Sequence, residues 1–121
     1  MKLGIVGSRR RNNPEDKELI KKRILLIGPE EIVSGGCPRG ADRFAEQLAR
    51  DLKIPITIYR PDCALSAGRW KFIEACYIRN EKVARRSDIL LALVAPDRKG
   101  GTENTIKHFR RIHGGRNLEI L

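Results

Sequence analysis

The chain is poor in the features that mark membrane, disulfide-stapled and metal-bound proteins. No apolar run approaches the roughly 18 residues a membrane helix needs, so no membrane partner is expected. Cysteine occurs only at Cys37, Cys63 and Cys76. That odd, widely spaced set has neither the even count of a disulfide framework nor metal-ligand spacing, and no metal or cofactor is expected. The apolar stretch at the start is too short for a secretory signal, which together with the thiols points to a cytoplasmic setting. Aromatic residues are sparse, with one Trp, two Tyr and three Phe, few for a stacking surface along single-stranded nucleic acid. No repeat, low-complexity stretch or long linker divides the 121 residues, a length that suits one domain with its own core.

Acids are scarce as well, at 15 Asp+Glu against 25 Lys+Arg, for a formal charge of +10. Residues 1–60 hold 13 basic and eight acidic side chains and residues 61–121 hold 12 and seven, so each half is +5 and there is no basic tail. This balance suits a polyanion, either nucleic acid or a phosphate-bearing small molecule, and equally a solvated surface.

What is present is a regular alternation. Lys2 to Val6 reads as a buried strand closed by Gly7-Ser8-Arg9. Two Asn residues, Pro14 and the acids Glu15 and Asp16 open a helix that stops at Gly28-Pro29. Glu31 to Ser34 is a second strand, and Ala41, Phe44, Ala45, Leu48, Ala49 and Leu52 have helical spacing. Ile54 to Tyr59 is a third strand and Trp70 to Arg86 a long helix, with Trp70 expected in the core in preference to a ring at a ligand's edge. The nearly continuous apolar run Asp88 to Ala95 suits a strand covered on both faces. A helix over Thr102 to Ile112, N-capped by Thr102, and a strand over Leu118 to Leu121 complete the series. The fold class expected is α/β: a single Rossmann-like three-layer αβα sandwich on a parallel sheet of about five strands.

Ligands of such sheets bind at the carboxyl ends of the strands, so the loops there carry the candidate chemistry. The first is Gly7-Ser8-Arg9. In the second, Ser34 to Asp42, the glycines Gly35, Gly36 and Gly40 allow backbone N–H groups close to an anion, and a helix starts near Arg39, itself a candidate phosphate clamp. The same glycines also fit a tight turn that needs them for geometry alone. This loop has neither the Lys-Ser/Thr ending of a Walker loop nor the spacing of the dinucleotide fingerprint. Gly100-Gly101-Thr102 forms a similar turn, with Glu103 where a helix dipole stabilises a carboxylate anyway. Arg79-Asn80 lies mid-helix, and a weak helix former such as Asn invites a reason there. Arg60, Arg98 and Lys99 join Arg9, Arg39 and Arg79 near the expected rim, while His108 and His113 read as surface residues.

Taken in order, Gly7-Ser8-Arg9, Val33-Ser34-Gly35-Gly36-x-x-x-Gly40-Ala41-Asp42-Arg43-x-Ala45-Glu46, Ala67-Gly68, Ile78-Arg79-Asn80 and Gly101-Thr102 resemble the SLOG superfamily (Smf/DprA and LOG). The likeness is to its YspA/YpsA-related branch of small standalone Rossmann-like proteins and spans residues 4 to about 110. The resemblance implies a single SLOG-like domain over 1–121 and a pocket for a nucleotide or nucleotide-derived ligand. The phosphate would lie at Gly35-Gly36 and Gly101-Thr102, near Ser8, Arg9 and Arg79. Relatives of the LOG type release the base from nucleoside 5′-monophosphates through P-G-G-x-G-T-x-x-E and an upstream Arg-Lys pair. Here Asn80 replaces the lysine, no Pro-Gly-Gly precedes Gly101-Thr102, and Glu103 directly follows Thr102, so that Thr105 stands at the glutamate position.

The leading expectation is binding or sensing of a nucleoside phosphate or an ADP-ribose-like molecule, with Asp42 orienting a ribose hydroxyl or capping its loop. The alternative is a LOG-like phosphoribohydrolase with Glu103 and Arg79 as catalytic residues. A third, less favoured, is DprA-like binding of single-stranded nucleic acid. Apolar positions on the last two helices leave room for a homodimer.

Overall fold

The structure, a computed structural model, describes the backbone of residues 1–121 and every side chain except that of Leu65. The described residues form β1 (Lys2–Gly7), α1 (Pro14–Ile27), β2 (Glu31–Ser34), α2 (Ala41–Asp51) and β3 (Ile56–Ile58). A 3₁₀ turn (Leu65–Ala67) precedes α3 (Arg69–Arg86), β4 (Ile89–Leu93), α4 (Gly101–His113) and β5 (Leu118–Ile120). The strands make one sheet in the order β3-β2-β1-β4-β5, and every pairing is parallel. The expected Rossmann-like sandwich is therefore the fold.

Alternation along the strands assigns the two layers of helices. On one face Leu3, Ile5, Leu91 and Leu93 meet Ile20 and Ile24 of α1 and Phe44, Ala45 and Leu48 of α2. On the other, Val6, Leu90 and Ala92 meet Val83 and Ala84 of α3 and Ile106 and Phe109 of α4. β1 and β4, buried on both faces, are the apolar runs of the sequence.

Local chemistry sets the helix ends. At α1, Pro14 takes the first position and the Asp16 carboxylate accepts the Asn13 N–H at 3.3 Å. The helix ends where Gly28, at φ +62°, donates its N–H to the Ile24 carbonyl at 2.8 Å. α4 begins earlier than expected. Gly100, at φ +120°, is the cap in place of Thr102, and its carbonyl accepts the Glu103 N–H at 3.2 Å.

Trp70 corrects a second expectation, for it is 80% exposed. An 18-residue helix is about 27 Å long whereas a five-residue strand spans roughly 17 Å, so the first turns of α3 overhang the carboxyl edge of the sheet. Its buried residues, Asn80, Val83 and Ala84, all belong to the second half.

The closest approach between layers occurs at Gly4. A Cβ there would lie 2.2 Å from Ser87 Oγ and 2.9 Å from Leu90 Cδ1. Ser87 is not free to yield, because it is fully buried and its hydroxyl donates to the Val83 carbonyl at 2.7 Å. Gly4→Ala is accordingly expected to lower unfolding stability by about 1–3 kcal/mol. Urea denaturation checks this, and an unchanged midpoint would contradict the packing described.

Candidate functional site

The chain runs outward from β1 through β2 to β3, then crosses back to place β4 on the other side of β1. At this reversal the loops after β1 and β4 diverge, and a crevice opens at their carboxyl ends. The cleft there has a volume of about 390 Å³. The β1–α1 turn supplies Gly7, Ser8, Arg9 and Arg10, and the β2–α2 loop supplies Gly35, Cys37 and Asp42. α3 contributes Cys76, Tyr77, Arg79 and Asn80, and the start of α4 contributes Lys99, Gly100, Gly101, Thr102 and Thr105.

Of the residues singled out in the sequence, Gly7, Ser8, Arg9, Gly35, Asp42, Arg79, Asn80, Gly100, Gly101 and Thr102 thus come together around one cleft. Ser34, Gly36, Arg39, Gly40 and Glu103 do not line it. Ser34 is fully buried beneath the loop. Gly36 faces Ile58 and Arg60, and Arg39 is exposed outside the cleft. Glu103 is held away by Arg98, whose Nε and Nη2 both donate to its carboxylate at 2.9 Å. Sequence reasoning missed Arg10, Cys37, Cys76, Tyr77 and Thr105 as lining residues. Cys76 lies one helical turn before Asn80, and Thr105 one turn after Gly101, a spacing that marks both as neighbours of residues already chosen. His108 and His113 lie outside the cleft.

The glycine loop is built differently from the expected anion cradle. The Cys37 N–H donates to Asp42 Oδ2 at 3.0 Å, and the Gly40 N–H donates to Asn12 Oδ1 at 2.9 Å. Gly40, at φ +72°, is needed because a Cβ there would lie 2.7 Å from the Ser8 carbonyl oxygen. Asp42, in the first turn of α2, places the chain's own anion where an external one was expected. Two of the loop's N–H donors are thus committed to protein acceptors, one within the loop and one in the β1–α1 segment. At the start of α4 the Gly101 and Thr102 N–H groups, like those of Ala41 and Asp42 at the start of α2, are orphaned by their place in the helix and have no protein partner among the described residues.

Two consecutive α3 side chains join these loops. Arg79 Nη1 donates to the Gly35 carbonyl, and its Nε donates to Asn80 Oδ1 at 2.9 Å. Asn80, almost fully buried, donates from Nδ2 to Asn104 Oδ1 at 3.1 Å and to the Gly101 carbonyl at 3.4 Å. This accounts for the mid-helix asparagine: it orients Arg79 and ties α3 to the start of α4.

No protein-family model matches this chain. Among the described residues no group of three His, Cys, Asp or Glu side chains is placed to hold a metal ion, and all three cysteines are free. Nor is any helix among them long and apolar enough to cross a membrane.

Burial pushes the Asp42 carboxyl up to about 6, and Glu46 adds to the rise. The Cys37 N–H, the Arg79 guanidinium and the Ser34 hydroxyl oppose it without cancelling it. An acid raised in the native state retains its proton where the unfolded chain has lost it, so stability falls as pH rises from about 4 to 6. The cost is about 3 kcal/mol once Asp42 is ionised. Asp42→Asn is expected to remove this fall, so that its stability relative to the parent chain increases between pH 4 and 7. Urea denaturation across that range reads the difference, and parallel profiles would rule out the assignment.

Proposed function

We propose that the chain binds a nucleotide or nucleotide-derived ligand, a nucleoside phosphate or an ADP-ribose-like molecule, in the cleft at the strand reversal. The observation that carries this reading is the joining of Arg9, Arg10, Arg79 and Lys99 with the open start of α4 around one crevice. The phosphate lies toward Gly101 and Thr102, where helix N–H groups and the dipole favour an anion. Arg10 is partly neutralised by Asp97, to which it donates at 2.6 and 3.1 Å, so Arg9, Arg79 and Lys99 carry more of the attraction. The Asp42 carboxylate accepts a ribose hydroxyl, and half-exposed Tyr77 covers one face of the base.

Binding without base release is the favoured mode. Glu103 is outside the cleft and paired with Arg98, and Thr105, whose hydroxyl reaches the Gly101 carbonyl at 3.5 Å, offers no carboxylate. Asp42 is the carboxyl that lines the cleft, so any acid–base chemistry in it runs through that residue. A second reading, binding of single-stranded nucleic acid, draws support from the exposure of Trp70 and Tyr77 on the overhanging end of α3. Trp70 is the chain's single tryptophan, so its fluorescence reports directly on that surface.

Thermal denaturation with a panel of nucleosides and nucleotides tests the proposal. Phosphorylated members are expected to raise the melting temperature, and a hundredfold excess over Kd stabilises by about 2.7 kcal/mol. Arg79→Ala is expected to weaken binding tenfold or more, with Arg79→Lys recovering part of it, whereas Glu103→Ala leaves affinity unchanged. A panel without any shift, or equal shifts from nucleosides and nucleotides, would sink the proposal. Free base accumulating with a nucleoside monophosphate, and abolished by Asp42→Asn, would convert it to an enzyme. Trp70 quenching that strengthens with oligonucleotide length would favour the second reading.

A further inference from the structure

A second, smaller cleft of about 170 Å³ adjoins the first, on the β3 side of α3. Its α3 wall is Ala75, Ile78, Arg79 and Lys82, an i, i+3, i+4, i+7 stripe, and Arg60 and Asp62 after β3 face it. Arg79 lines both clefts. Arg60 is laid across Gly36, where a Cβ would lie 3.0 Å from its Cγ and 3.3 Å from its Nε. That close approach gives Gly36 a role the first cleft does not. Arg60 has only a long contact with a carboxylate, 3.7 Å to Glu46, and Lys82 has no ion pair among the described residues. Three cations therefore face one acid.

We propose that this second cleft is a subsite for a further phosphate of the same ligand, so that the favoured ligand is a nucleotide with phosphates at two separate positions. The inference rests on the reading of the main cleft as a nucleotide site. The size decides what enters: pockets for whole drug-sized ligands run from about 300 to 1,000 Å³, so this one takes a single ionic group. The shared guanidinium decides the spacing. Anions held in two different clefts with the Arg79 side chain between them call for phosphates carried on separate atoms of the ligand, which favours a bisphosphate over a chained polyphosphate. Planar guanidinium with several donors serves two anions at once in a way an ammonium does not.

Calorimetry on the full chain at fixed ionic strength compares adenosine 5′-monophosphate, adenosine 5′-diphosphate and adenosine 3′,5′-bisphosphate. The bisphosphate is expected to bind at least tenfold tighter than either of the others. Lys82→Ala combined with Arg60→Ala is expected to bring that ratio close to one. Arg110→Ala combined with Lys107→Ala, an equal loss of charge at exposed α4 positions outside both clefts, keeps it. Equal affinities in the parent chain, a diphosphate that matches the bisphosphate, or a ratio unmoved by the double variant would overturn the subsite. Affinity that keeps rising with each nucleotide added to an oligonucleotide would overturn it in favour of a polymer track. If no adenosine nucleotide binds, inorganic phosphate decides the subsite separately: NMR shift changes confined to residues 60–62 and 78–82 and lost in the double variant uphold it. Their absence overturns it.

Discussion

Asn80 and Arg79 are adjacent on one helix, yet they secure loops on opposite sides of the cleft. An interior asparagine costs a helix up to about 0.7 kcal/mol relative to alanine, and a nearly buried amide costs more unless its hydrogen bonds are made. Here they are made: to Arg79 on the acceptor side, and to Gly101 and Asn104 on the donor side. The arginine, oriented in turn, reaches the Gly35 carbonyl at the end of β2. The spacing between the β2–α2 loop and the start of α4 is thereby a property of α3. Because Val83 and Ala84 bury the second half of α3 against β1 and β4 strands and α4, that spacing is inherited from the core.

Several of the basic side chains serve the architecture. Arg11 joins Asp16 at 2.9 Å and donates to the carbonyls of Val94 and Leu121, fastening the β1–α1 turn to the far edge of the sheet. Arg86 holds Glu31, Arg23 holds Glu119 and Arg98 holds Glu103. Such exposed pairs contribute little stability each, but they remove charge from what an approaching anion meets. Arg9 and Lys99 at the main cleft, and Arg60 and Lys82 at the smaller one, flank the Arg79 guanidinium. These pairs leave the formal charge at +10, and cations such as Lys21, Lys22, Arg43 and Arg110, with no ion pair among the described residues, lie outside both clefts, so the net charge alone does not locate a site.

The fold was largely legible because local signals agreed with the tertiary outcome. Pro14 and Gly28 bracket α1, β2 occupies the expected Glu31–Ser34, and the apolar run before Ala95 is a central strand. Trp70 was misread because amphipathic spacing says which face is apolar but not how far the sheet extends beneath it. Thr102 was misread as a cap because a glycine at positive φ turns the chain into the helix without a side-chain acceptor. In the site, strand-end placement found the cleft and most of its walls. It did not separate Arg9 from Arg39 or Glu103, since being in the right loop leaves open which way a side chain points.

The glycine loop carries the widest gap between motif and mechanism. Glycines after a strand and before a helix suit an anion cradle, and they suit equally a chain that must pass close to another backbone. At Gly40 the second reason is the observed one, for the Ser8 carbonyl fills the space a Cβ would need. With Asp42 accepting the Cys37 N–H, the loop is closed on itself and presents an acid to the cleft. That acid lies beside Arg79, whose positive charge favours the ionised form of the carboxylate. The cleft therefore combines cations and the open start of α4 with a buried carboxylate that sits beside Arg79. On the proposed reading, a ligand that uses both kinds of group is an anion joined to a hydroxyl-bearing body, and inorganic phosphate alone uses only the cations.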